Sequence, residues 1–263
     1  MCEALEAWFE RDYRLQQNRF ETKHMRVCRV GEAQAQYPPY KVLVRVDQRN
    51  VIGELTALAH ELLSGRNPDW TRYPLVRKQR FERHLYQPLL IAVDGSAADT
   101  VSLSPKVLEK SEREFVAALQ TYWEAERLGQ LAGHKLYLLR NQSRGRGLGF
   151  YETEGFFPDF ILWNIGPQRQ QVLFIEPHGL LMEKRGSDKV TGFHERLQDY
   201  VATGLQTAGR DDIAVDGWIL SETPMLDLQQ QWDVPWTEQD FASRHILFPQ
   251  TGYSQVMKQL LLP

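Results

Sequence analysis

The sequence predicts a mixed α/β domain over residues 98–263, preceded by a mostly helical region over residues 1–97. Three observations carry this reading. The runs HKLYLLRN, FFPDFILWN and QQVLFIEP are nearly continuous in apolar residues, which implies a sheet covered on both faces. A helical pattern precedes them, and a second helical pattern separates them from the run IAVDGWILS, so the order is αβββαβ. The chain has 263 residues, 42% of them hydrophobic, enough to bury a substantial core.

Each element has its own signal. Residues 3–96 show mostly helical spacing with one strand-like interruption, YKVLVRV, followed by the helical NVIGELTALAHELLSG. The phrases QNRFETKHM and KQRFERHLY look alike, but nine residues with a few matches establish no repeat. VDGSAADTVSLSP, rich in Gly, Ser, Ala and Asp, reads as the junction between the two regions. In KVLEKSEREFVAALQTYWEAERL, the residues Glu112, Phe115, Leu119 and Trp123 form a stripe on one helix face, so an acid belongs to an apolar stripe. IGPQRQ is the turn joining the PD strand to the strand after it, and SDKVTGFHERLQDYVATGL reads as a helix capped by Ser187.

Composition narrows the function. A net charge of −3 and a pI of about 6.2 give no whole-molecule attraction to polyanions, so nucleic-acid contact must come from local basic patches. One patch is Arg66, Arg72, Arg77, Lys78, Arg80 and Arg83, read as a solvated helical face. A second, Lys135, Arg140, Arg144 and Arg146, is concentrated around a loop. Cys2 and Cys28 form neither a disulfide framework nor a zinc spacing, which suits a reducing cytosol. The N-terminus is acidic where a signal peptide is basic, and the longest apolar runs are too short to span a bilayer, so a cytoplasmic protein is expected, neither exported nor inserted.

The chemistry sits in the two central strands. A hairpin centred between Pro167 and Gln168 sets Asp159 directly opposite Glu176, with Cβ atoms roughly 5 Å apart on one face. A one-residue slip would separate them. His178 shares that face by strand periodicity, so two carboxylates and an imidazole are expected to converge. Two acids beside an apolar sheet need a neutralising cation, and oxygen ligation with water positions suits Mg²⁺ or Mn²⁺. An ordinary PD strand start, with Glu176 marking a strand end before Pro177, is the plainer alternative.

Glu112 on the inner face of a helix, then PD, then ExH, then helix and strand, resembles the PD-(D/E)xK nuclease superfamily. The phrases LSPKVLEKSEREFV, LYLLRNQSRGRGLGFYETEGFFPDFILW and VLFIEPHGL resemble more narrowly the C-terminal nuclease region of type III restriction-type proteins that carry a DEAD/DEAH helicase. The likeness covers roughly residues 98–220, with RNQSRGRGLGF as its most specific part. It implies a restriction-endonuclease-like core in which Asp159, Glu176, the Pro177 carbonyl and Glu112 serve a metal, and a catalytic set of Asp159, Glu176, His178 and Glu112. His178 stands where the superfamily has lysine; an imidazole can orient water or accept its proton but supplies less fixed charge. Lys184 and Lys189 are alternative cations, and Lys189 is also a DNA-binding candidate.

The remaining patterns are weaker. GRGLG at 145–149 lacks the following helix that a dinucleotide fingerprint requires; its better use is a loop that brings Arg144 and Arg146 to DNA phosphates, with solvated arginines on a hairpin turn as the alternative. His194 and Glu195 read as surface or core-edge residues rather than ligands, and Trp163, Trp218 and Phe160 as core. No GxxxxGK[ST] occurs, so any helicase or ATPase function must belong to a partner chain or to sequence beyond these 263 residues. The resemblance therefore implies a metal-dependent DNA nuclease, in restriction or anti-phage defence alongside a helicase. A catalytically silent nuclease-like module that binds DNA or docks a partner is the alternative.

Overall fold

The computed structural model describes residues 12–13, 16, 19–20, 23, 41–64, 68–79, 81, 89–92, 100–141, 158–185, 190, 194, 197, 201 and 203–262. Its centre is a mixed sheet of five strands in the order β5-β6-β7-β8-β9. These are β5 (Lys135–Arg140), β6 (Phe160–Ile165), β7 (Gln170–His178), β8 (Ile213–Ser221) and β9 (Ile246–Leu247). β5, β6 and β7 pair antiparallel, while β8 and β9 join in parallel. The helix, three strands and later parallel strand of the sequence reading are present at their expected positions, so the mixed α/β class stands. The edge strand β9 had no counterpart in that reading: two residues are too few to show a period.

Both faces are covered, as the apolar runs require. On one face α2 (Lys110–Glu126) and α6 (Tyr253–Leu261) pack over Leu138, Phe160, Leu162, Leu173 and Ile175. The Phe115 and Phe160 rings meet there at 5.1 Å between centroids. On the other face Leu139, Ile161 and Phe174 pack with Leu197, which lies in a helical turn of the segment between β7 and α3 (Thr203–Thr207). The Ser187 cap proposed for that segment lies outside the described residues. Helices α4 (Met225–Trp232) and α5 (Glu238–Ala242) enclose a further cluster with Ile219, Ile246 and Phe248.

One buried amide, Asn164 at 1% exposure, fixes how β6 meets its neighbours. Its Oδ1 accepts from His134 Nδ1 at 2.7 Å, and its Nδ2 donates to Gln171 Oε1 at 2.7 Å and to the Leu261 carbonyl at 3.0 Å. A buried amide so satisfied costs little and resists a slip in register, since a slip would orphan it.

The N-terminal part departs from the mostly helical expectation. Helix α1 (Arg49–Leu63) lies within the expected helical run, but β1 (Lys41–Val44) pairs with β4 (Val101–Ser104), and β2 (Val76–Gln79) pairs with β3 (Leu89–Ala92). Arg77 and Lys78 therefore sit on a strand, not on a helical face, and part of the expected junction is β4. Four-residue strands whose partners lie 13 to 60 residues away carry no local period that sequence could reveal.

Candidate functional site

The β6–β7 ladder ends with Phe160 opposite Ile175, the register set by a turn centred between Pro167 and Gln168. The next pair outward is Asp159 and Glu176. There the Asp159 amide donates to Glu176 Oε2 at 3.0 Å. Glu176 is 6% exposed and Asp159 is half-buried. Each alternates with a residue of the α2-covered face, so both belong to the face of Ile161 and Phe174. A carboxylate this buried needs donors or a cation, and the Asp159 amide is one donor.

His178 closes β7, opposite Ser221 in the parallel register, and its side chain is exposed. Its carbonyl accepts from the Glu222 amide at 3.2 Å. Pro177 between the two is buried and lines a small cavity of about 260 Å³ with Lys110, Glu114, Glu222 and Tyr253. Alternation across the strand thus separates Pro177 from the Glu176–His178 face.

Glu112 has different company. The helix α2 N-terminus is a capping box, with the Glu109 amide donating to Glu112 Oε2 at 2.7 Å. Arg140 Nη2 donates to both Glu112 oxygens at 3.2 and 3.0 Å, and the same guanidinium donates to the Lys106 and Val107 carbonyls. Arg140 pairs with Phe160 across the ladder and so lies on the α2 face. Burial pushes the Glu112 carboxyl above its ordinary value of 4.5, and Arg140 offsets this only in part.

The expected convergence is therefore incomplete. Asp159 and Glu176 meet, but no triple drawn from Glu112, Asp159, Glu176 and His178 brings ligand atoms within 4.8 Å of one another. Arg140 draws Glu112 to the opposite face, Glu176 turns to a backbone amide, and His178 projects to solvent at the strand end. Lys184 is exposed; Arg144, Arg146 and Lys189 lie outside the described residues.

Among the described residues one cluster could hold a metal ion, and it lies elsewhere: His194, Asp216 and His245. His194 Nδ1 is 3.4 Å and His245 Nδ1 3.0 Å from Asp216 Oδ1. His194, expected to be a surface or core-edge residue, is half-buried and lies against this carboxylate. The available signal was the acid in the middle of IAVDGWILS, the same anomaly that singled out Asp159 and Glu176. His245, 29 residues further on, carries no spacing relation to it.

Comparison with family models, curated proteins and solved structures finds no match for this chain. No helix among the described residues is long and apolar enough to cross a membrane.

Proposed function

We propose that this chain is a divalent-metal-dependent DNA nuclease of the PD-(D/E)xK type, working beside a helicase partner in restriction or anti-phage defence. The observation that carries the reading is the register of β6 and β7, which brings the buried Glu176 carboxylate against Asp159 at the open end of the hairpin. Two carboxylates and the Pro177 carbonyl would offer an all-oxygen donor set, suited to Mg²⁺ or Mn²⁺, which binds through one or two carboxylates and retains waters. Such an ion, when bound, supplies charge stabilisation to a phosphodiester under attack by water. Asp159 and Glu176 would hold it. His178, exposed at the strand end, would take the proton of the attacking water while the P–O bond to the leaving sugar oxygen breaks. Glu112 acts through Arg140, fixing the start of α2 beside β5. DNA as substrate rests on the resemblance of the RNQSRGRGLGF run and its arginines.

Asp159→Asn and Glu176→Gln should each abolish plasmid cleavage in Mg²⁺ or Mn²⁺ while leaving the melting transition in place, because each removes charge and not volume. Parental cleavage by both variants would refute the assignment. The second reading, a silent module that binds DNA or docks a partner, draws support from the exposure of His178 and from the Glu176 bond to the Asp159 amide. In that case the parent retains DNA on a gel and never cuts it.

A further inference from the structure

We propose that His194, Asp216 and His245 form a second metal site, separate from the Asp159–Glu176 pair, that takes a borderline divalent ion such as Zn²⁺ in preference to Mg²⁺. The three residues come from three elements: the helical turn at His194, the middle of β8, and the residue before β9. Each offers a ligand atom, and these atoms lie within 4.8 Å of one another. A tetrahedral ion with bonds of about 2.0–2.1 Å places its ligand atoms about 3.3 Å apart. The two Nδ1–Oδ1 separations, 3.0 and 3.4 Å, bracket that edge. The longer of them is poor for a charge-assisted hydrogen bond, whose heavy atoms sit about 2.7–2.9 Å apart.

The surroundings of the three side chains are polar and close. The two imidazoles stack with centroids 3.3 Å apart and planes 18° from parallel. His245 Nδ1 also lies 3.1 Å from the Gly217 carbonyl, and Asp216 Oδ1 accepts from the Gly217 amide at 2.8 Å.

Two further features suit a site and not a fortuitous contact. His245 holds a left-handed backbone, φ 59°, which a non-glycine residue adopts when its surroundings require it. Its ring is backed by Trp218, 4.2 Å away between centroids, an apolar wall that fixes the imidazole. Asp216 also lines a cavity of about 530 Å³ together with Arg169, Gln171, Gln206 and Arg210. Imidazole nitrogen in the donor set selects Zn²⁺, Co²⁺ or Ni²⁺ over Mg²⁺, which prefers oxygen.

The test loads the full chain with Zn²⁺ or Co²⁺, dialyses it, and measures bound metal, the Co²⁺ ligand-field spectrum and the melting temperature. The parent should retain a stoichiometric ion against excess Mg²⁺, release protons on binding, and melt higher when loaded. His194→Gln, Asp216→Asn and His245→Gln should each weaken retention by roughly tenfold or more. The Asp159→Asn/Glu176→Gln double variant should keep it, which separates this site from the nuclease reading. Failure of the parent to retain metal, retention unchanged in all three cluster variants, or loss in the acid-pair variant alone would each overturn the proposal. Because the Co²⁺ spectrum of the parent reports nitrogen ligation directly, a cluster variant that fails to fold leaves the decision intact: an oxygen-only spectrum refutes the site.

Discussion

Arg140 and Glu112 have side chains only 9% and 7% exposed, and each is the other's charge partner. Breaking such a pair from one side is far costlier than its net worth, because the survivor stays buried and unpaired. Arg140→Met should therefore destabilise the protein by about 3 kcal/mol or more, read from urea midpoints at constant m-value. Glu112→Gln probes the pair differently, since it mimics the protonated acid and keeps the Arg140 bonds to the Lys106 and Val107 carbonyls. The sign of its pH dependence follows from the raised carboxyl. A folded-state pKa above 4.5 means the native protein binds the proton more tightly than the unfolded chain. Stability contributed by this group is then greatest below about 4.5 and is lost as pH rises through the elevated folded value. Relative to Glu112→Gln, the parent should lose stability across that window and run parallel to it at lower pH. A parent–variant difference that stays flat throughout would show that Arg140 compensates burial fully.

Phe160 joins the two functions of β6, as its ring packs on Phe115 of α2 while its backbone holds the last ladder pair before Asp159. Phe160→Ala removes a fully buried ring and should cost about 3–5 kcal/mol, with α2 losing its main anchor on the sheet. Hydrogen exchange should show the amides of α2 and β6 opening together; protection lost in β6 alone would separate the two elements. The same pair of elements shows what sequence could and could not reveal. The apolar runs of β5, β6, β7 and β8 were legible because burial on both faces leaves a continuous signal, and the hairpin register was legible because a short Gly-Pro turn sets its centre. Glu112 was legible as a buried acid but not as a partner of Arg140. That pairing spans 28 residues, and the ladder partner Phe160 places Arg140 on the α2 face. His194, Asp216 and His245 were missed for the same reason, since three elements distant in sequence meet only once β8 and β9 lie side by side.

At the scale of the whole molecule, the expected boundary near residue 97 does not divide two cores. Phe81 and Leu89, 2% and 0% exposed, belong to the same cluster as Leu108, Phe115, Leu138 and Phe160. The backbone is stitched across as well: the Leu108 amide donates to the Leu90 carbonyl at 2.7 Å, and Gln79 Nε2 donates to the Arg113 carbonyl at 2.7 Å. A chain starting at residue 98 would expose the wall that Phe81 and Leu89 cover. Each large apolar side chain fully buried contributes about 1.5–3 kcal/mol, so losing two removes about 3–6 kcal/mol from a total stability typically of about 5–15 kcal/mol. The fragment 98–263 should accordingly melt far below the full chain or aggregate, whereas a fragment starting at residue 68, which keeps β2 and β3 but loses α1 from Tyr73 and Val76 and β1 from β4, should melt between the two. Any nuclease assay on the shorter fragment would then report misfolding and not chemistry. Equal melting temperatures for the fragments beginning at 68 and 98 would show that the β2–β3 pair adds nothing to the core beneath α2.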